Sequence, residues 1–480
     1  LRAYIPHYAD RLTISWEEFI RLGRINPNDT QENFSVSVLA INLCQEVNGV
    51  SRIHEKVTQK MFVKMFEGYF PEELHIGHVT NGVHFPTWAS IDWQRIYAHT
   101  FGKDYILNQS NPKYWEKIYE VSDENIWAER MHQKEELIKF VKKHVNDDMT
   151  RRQENPKLIF RVLESIKVEL LTIGFARRFA YYKRAYLLFF NMERLAKIVN
   201  NPRYPVQFIF AGKAHPADQQ GQDLIKKIYT VSKQPEFLGK IIFLENYGME
   251  MAKSLIRGVD VWLNTPMRLM EASGTSGEKA VMNGVVNFSV QDGWWADGYK
   301  PGAGWAIKEK PTYTNDQFQD ELDAETIYST LEEEIIPTYY DTDWNGVSSR
   351  WVAHVKNTIA NIAPHFTMKR QLDDYYKKFY TKLFDRGELM KQNDFELAKN
   401  ISAWKRRVTR LWKDILVLNM KFPGSEHPAL RQGETFHAEV TLDIGELSPE
   451  DIGLELIFGR KINGTVDKLL FKNEMNQEII

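Results

Sequence analysis

The segment EASGTSGEKA, residues 271–280, sets Lys279 behind Gly274, Thr275, Ser276 and Gly277, with Glu271 in front. A turn of this composition leading into a helix gathers backbone N–H groups into a nest for an anion. A lysine one turn inside that helix could carry a Schiff base or bind a phosphate. The same residues also read as a helix cap followed by a solvated lysine, and taken alone the stretch favours that plainer reading. A second concentration of chemistry is ARRFAYYKR, residues 176–184, with Arg177, Arg178, Lys183 and Arg184. Four cations this close repel unless an anion is near, and Arg and Lys on strand-end loops are tools for holding phosphate. Phosphate binding is therefore favoured over a merely solvated basic turn. His215, standing alone, reads as structural. Ser276-Gly277-Glu278-Lys279 matches a nucleophile pattern, S-x-x-K, but its companion motifs are missing, as are GxGxxG, Walker-type and HExxH signatures.

These residues need a frame that brings them together. From residue 168 onward, short apolar, β-branched runs alternate with helical stretches. The runs at 168–175, 206–212, 240–246, 259–264 and 285–290 read as strands. Strands alternating with helices predict a parallel sheet of βαβ units, and runs apolar on both faces predict a sheet covered on both sides. Ligands bind outside the carboxyl ends of such strands. Each unusual segment falls at that rim: ARRFAYYKR after the first run, KAHPAD after the second, Glu245-Asn246-Tyr247 after the third, Asn264 to Lys279 after the fourth, and Asp292-Gly293-Trp294-Trp295 after the fifth.

Residues 1–150 read mostly as helix, with Gly49 as a C-cap after NFSVSVLAINLCQEVNGV and a long amphipathic helix over 126–145. MTRRQENPK, 149–157, reads as a linker. Residues 325–336 and 349–392 return to helix, and alternation from about 421 predicts a small antiparallel β-region.

The chain has 480 residues, 43% of them apolar, which predicts two or three domains. A net charge of −2 gives no argument for nucleic acid, and no apolar run is long enough to cross a bilayer. The single cysteine, Cys44, points to a reducing, cytoplasmic compartment. The opening LRAYIPHYAD reads like the middle of a domain, so a truncated start is expected.

Taken together, VNGVSRIH (47–54), HVTNGVHFPTW (78–88), IGFARRFAYYKRA (173–185), FAGKAHPAD (210–218), FLENY (243–247), DVWLNTP (260–266), EASGTSGEKA (271–280) and DGWWADGY (292–299) resemble the α-glucan (glycogen, starch, maltodextrin) phosphorylases. The resemblance is closest to their shorter bacterial and archaeal branch and covers about residues 30–400. It implies an α/β chain of GT-B type, two Rossmann-like domains facing a cleft, the first incomplete here. The implied domains are 1–150 (remainder of the glucan-binding domain), 151–345 (cofactor and phosphate domain), 346–420 (helices crossing back) and 421–480 (β-rich tail). By analogy Lys279 carries pyridoxal 5′-phosphate (PLP) as a Schiff base. Arg177 and the N–H groups around Thr275 and Ser276 hold the cofactor phosphate, and Tyr247 lies near its ring. Arg178 and Lys183 hold orthophosphate. Glu271, Ser273, Gly274 and Asn81 bind hydroxyls of the transferred glucose. No metal, nucleic-acid or membrane partner is implied, and members of the family are commonly oligomers. Two other readings stand beside this one: a glycogen-synthase-like sugar-nucleotide transferase, and an inactive glucan-binding fragment. One departure is Glu278, where the branch usually has methionine. An acid there either weakens phosphate binding or points away.

Overall fold

A computed structural model describes residues 6–307, 315–422, 437–462 and 465–478. The opening residues 1–5, and 433–436 of the β-rich stretch, lie outside the described residues. The chain forms two compact units, Leu1–Met61 with His75–Tyr375, and Phe62–Leu74 with Tyr376–Ile480.

The first unit contains a short parallel pair, β1 (Val47–Gly49) and β2 (Ile76–His78). It also contains a larger sheet of β3 (Leu171–Ala176), β4 (Val206–Ala211), β5 (Ile241–Leu244), β6 (Val261–Asn264), β7 (Val286–Val290) and β8 (Gly304–Ile307). The larger sheet is wholly parallel, in the order β5-β4-β3-β6-β7-β8. Every residue of β3, β4, β6 and β7 is buried. Alternate residues serve opposite faces: Leu171, Ile173 and Phe175 enter one core, and Ile209, Ala211 and Trp262 the other. The helix Asp123–Arg151 covers the second face with Leu137, Ile138 and Val141. The helix Ser349–Asn361 covers the first with Trp351, Val352, Val355 and Ile359. Helices at Met192–Val199, Gln219–Ser232, Met249–Gly258 and Thr275–Val281 join successive strands from β3 to β7. The strand order reverses between β3 and β6, so their carboxyl ends diverge into a crevice.

Three local expectations are corrected. The helix of residues 36–43 ends at Leu43 with Cys44 as its cap; Gly49 belongs to β1. Its lack of a side chain matters for packing, because a Cβ there would stand 2.6 Å from the Glu55 nitrogen. The expected linker at 149–157 is mostly helical: one helix runs to Arg151, and Asn155 caps the next, Pro156–Ser165. Strand β8 was not expected; it follows a turn and opens with Gly304.

In the second unit, the helix Thr381–Leu411 is broken at residues 392–395, where Asn393, Asp394 and Phe395 take positive φ. Two antiparallel ladders follow, β9 (Leu416–Lys421) with β10 (Glu439–Asp443) and β11 (Glu455–Ile462) with β12 (Thr465–Glu474). Asp451 ties the helix to this region, accepting from Trp404 Nε1 at 2.7 Å and Arg407 Nη2 at 2.8 Å.

Candidate active site

The crevice between β3 and β6 collects the basic motif. Arg177 follows β3 directly, and its N–H donates to the Ala211 carbonyl at the end of β4 (3.1 Å). Gly212 must be glycine for the two chains to pass, since a Cβ there would lie 2.0 Å from the Arg177 carbonyl oxygen. The Arg177 guanidinium is buried, lies 5.2 Å from the Phe175 ring centroid, and donates to Asn264 Oδ1 and to Ser276 Oγ (3.3 Å). Asn264, the last residue of β6, is itself oriented by donating to Ser289 Oγ at 3.0 Å. Lys183 is also buried and donates to Glu271 Oε2, which stands 3.6 Å from Arg177 Nη1. One carboxylate thus faces two cations.

The other two cations of the motif behave differently. Arg178 is exposed and makes no hydrogen bond or ion pair among the described residues, so it does not join the group around Glu271. Arg184, only 1% exposed, donates to Asp320 Oδ1 and Asp323 Oδ2, both at 2.8 Å, and to the Thr265 and Pro266 carbonyls. Its counter-charges come from the helix Asp316–Thr330, more than 130 residues away in sequence. His215 is an exposed turn residue whose Nδ1 accepts from Ala217 N at 3.1 Å, the structural part expected of it.

The turn at 271–274 is cinched by the loop after β7. Asp292 accepts from Glu271 N (3.0 Å) and Gly293 N (2.9 Å), and Trp294 N donates to the Ser273 carbonyl (2.8 Å). Burial pushes the Asp292 carboxyl above the usual carboxylate range. Gly274, at φ +84°, starts the helix Thr275–Val281, which carries Ser276 and Lys279. A side chain at Gly274 would be strained and would meet Glu271 at 3.2 Å. Ser276 Oγ also accepts from Trp262 Nε1 at 3.1 Å. Lys279 is partly buried, with Nζ 3.9 Å from the Trp88 ring centroid and no acid paired with it among the described residues. Burial pulls its pKa down, with Glu278 opposing, which leaves the amine closer to its nucleophilic neutral form. Tyr247 is partly buried, and burial pushes its phenol up while Arg177 pulls it back.

Glu278 points inward. It is fully buried, accepts from Ser273 Oγ at 3.3 Å through Oε1, and leaves Oε2 without a partner among the described residues. Burial pushes this carboxyl well above its ordinary value. Burial thus disfavours a full negative charge on this acid beside Lys279.

The segments around residues 50 and 80 are pinned to the same rim. Ser51 Oγ donates to the Ala272 carbonyl at 2.8 Å. Asp297 accepts from Arg52 N and Nε, both at 3.1 Å, and from Thr80 Oγ1 at 2.9 Å. This brings Asn81 to the neighbourhood of the 271–274 turn. Sequence reasoning assigned no part to Trp88, Asn264, Asp292 or Asp297, although each lies inside a motif it singled out.

A family model described as carbohydrate phosphorylase matches residues 6–296. The chain is 36% identical to the maltodextrin phosphorylase of Thermococcus litoralis, over 93% of this chain and 51% of that one. It is 41% identical to the glycogen phosphorylase of Aquifex aeolicus, over 77% of this chain and 52% of that one. With the glycogen phosphorylase of Mycobacterium tuberculosis it shares 31% identity over 93% of this chain and 51% of the other. The chain spans about half the length of these relatives. The parallel sheet, its loaded rim and these matches agree on an α/β fold of GT-B type, and the chain belongs to the carbohydrate phosphorylase family.

Proposed function

We propose that the full-length protein is a PLP-dependent α-1,4-glucan phosphorylase, releasing α-glucose 1-phosphate from glycogen or maltodextrin with retention of configuration. The observation that carries this reading is the pairing, on one rim, of a partly buried lysine with no acid paired to it among the described residues and two buried cations that share one carboxylate. Names of the relatives, maltodextrin and glycogen phosphorylase, support the substrate class.

The residues fit PLP. Arg177 is buried, has an Nε without a partner among the described residues, and aims its terminal nitrogens at the start of the helix that bears Lys279. Lys279 would tether the cofactor, Arg177 with the Thr275 and Ser276 backbone would hold its phosphate, and Tyr247 would lie beside its ring. When bound, PLP supplies a phosphate that relays a proton, not a ring that stores electrons.

Lys183 and Arg178 would bind the substrate orthophosphate, which protonates the leaving glycosidic oxygen and then attacks the anomeric carbon from the same face. Two unit charges held about 4 Å apart repel by about 4 kcal/mol at an effective dielectric of about 20, so the cations must offset that cost. Glu271 occupies Lys183 together with Arg177, and an arriving anion would compete with it. The displaced carboxylate would then accept from glucose hydroxyls, alongside Ser273, Gly274 and Asn81. In this reading residues 1–150 complete a glucan-binding domain, 151–345 form the cofactor and phosphate domain, 346–420 cross back, and 421–480 form the β-rich tail.

The test is phosphate-dependent release of α-glucose 1-phosphate from maltodextrin by the full-length protein. Glucan binding without such release would reject the reading. Transfer from a nucleotide sugar that persists in Lys279→Ala would point instead to a synthase-like enzyme.

A further inference from the structure

Asn81 lies on a backbone segment stitched to residues 366–371. Val83 N donates to the Phe366 carbonyl at 2.8 Å, and Met368 N to the Val83 carbonyl at 2.9 Å. The approach is so close that a Cβ on Gly82 would stand 2.3 Å from the Thr367 carbonyl oxygen. Asn81 itself donates through N to Val50 O (3.1 Å) and accepts through O from Arg370 Nη2 (2.8 Å), so its backbone is held on both sides.

Within this frame Gln371, on the helix Met368–Tyr375, makes two bonds. Its Oε1 accepts from Gly82 N at 3.1 Å, and its Nε2 donates to Asn81 Oδ1, also at 3.1 Å. A backbone N–H can only donate, so the carbonyl end of the Gln371 amide is fixed toward Gly82 and its NH₂ toward Asn81. Asn81 must answer with its own carbonyl oxygen. Its NH₂ is thereby turned away from Gln371, on a side chain that is only partly covered, and makes no hydrogen bond among the described residues.

We propose that Gln371 is a positioning residue that sets the hydrogen-bond polarity of Asn81, which presents N–H donors and reads the outer, primary hydroxyl of the transferred glucose as an acceptor. This rests on the phosphorylase reading and on Asn81 as a sugar-binding residue. It follows that the site tolerates a sugar that can accept but not donate at that position.

The experiment compares kcat/KM for α-glucose 1-phosphate and its 6-deoxy-6-fluoro analogue in glucan extension by the full-length, cofactor-loaded protein. Gln371→Glu keeps an acceptor for Gly82 but sets a second acceptor against Asn81. The Asn81 amide then turns over and offers its oxygen to the sugar, which the fluoro analogue cannot satisfy. The preference for hydroxyl over fluorine should rise by about 5- to 100-fold over wild type, the cost of an unpaired acceptor. Asn81→Asp, which offers only acceptors, should shift the preference the same way and covers the case in which the first variant does not fold. A preference unchanged in a folded, active variant overturns the proposal while leaving the phosphorylase reading intact. A wild-type protein that uses neither sugar overturns the phosphorylase reading itself.

Discussion

The motif ARRFAYYKR sends its cations into two surroundings. Arg184, joined by Arg268, meets two aspartates, Asp320 and Asp323, and two carbonyls. Two cations face two anions, and the Arg184 nitrogens all have partners. Arg177 and Lys183, a few residues earlier, share the single carboxylate of Glu271, and Arg177 Nε has no partner among the described residues. Both groups are buried and both sit beyond the carboxyl ends of β3 and β6. The difference lies in saturation. A cation whose donors all end inside the fold holds the fold together, whereas one left with capacity for an anion is suited to bind one.

Substitutions separate the two groups, beginning with the largest effect. Lys279→Ala should abolish phosphorolysis while the protein stays folded, as measured by product release and thermal unfolding side by side. Next, Arg184→Met leaves Asp320 buried without its cation and should cost about 3–5 kcal/mol in denaturant unfolding, with the KM for orthophosphate unchanged in the protein that folds. Arg177→Gln should do the reverse. It should lower kcat by about 10²–10³-fold, with a smaller change in stability than at Arg184. An equal stability loss at both sites would erase the distinction.

The smallest effect concerns Glu278. Its carboxyl titrates higher in the folded protein than in the unfolded chain, so the native state holds the proton more tightly. The stability it contributes is complete below the usual carboxylate range and is lost as pH rises toward the folded value, by at most about 1.4 kcal/mol per pH unit. Glu278→Gln cannot ionise, so its advantage in melting temperature over wild type should grow with pH. A difference that stays flat from acid to neutral pH would place the carboxyl in water.

Much of the frame was legible in the chain. The five expected runs coincide closely with β3 to β7, because each is apolar on both faces and bounded by turns. The rule that ligands gather at the carboxyl ends then locates the rim from the chain alone. Strand β8 escaped because Gly304–Ile307 begins with glycine and lacks the run of β-branched residues that marks the others. The stretch NFSVSVLAINLCQEVNGV, 33–50, reads as one helix because its apolar residues lie on several sides and Gly49 resembles a cap. Within the site, the turn around Lys279 showed itself through glycine, hydroxyl and lysine spacing. What joins distant segments did not: Asp320 beneath Arg184, Trp88 beneath Lys279, and Gln371 behind Asn81 are contacts across 136, 191 and 290 positions of sequence, with no local pattern to announce them. For the same reason the four cations of the basic motif looked alike.

The central claim is that the unsaturated rim holds PLP through Lys279. Borohydride reduction of the full-length protein, followed by peptide mass mapping, tests it most directly. The account predicts a pyridoxyl adduct on Lys279, together with loss of the cofactor's visible absorbance. An unmodified Lys279 in active protein, or an adduct on another lysine, would contradict it.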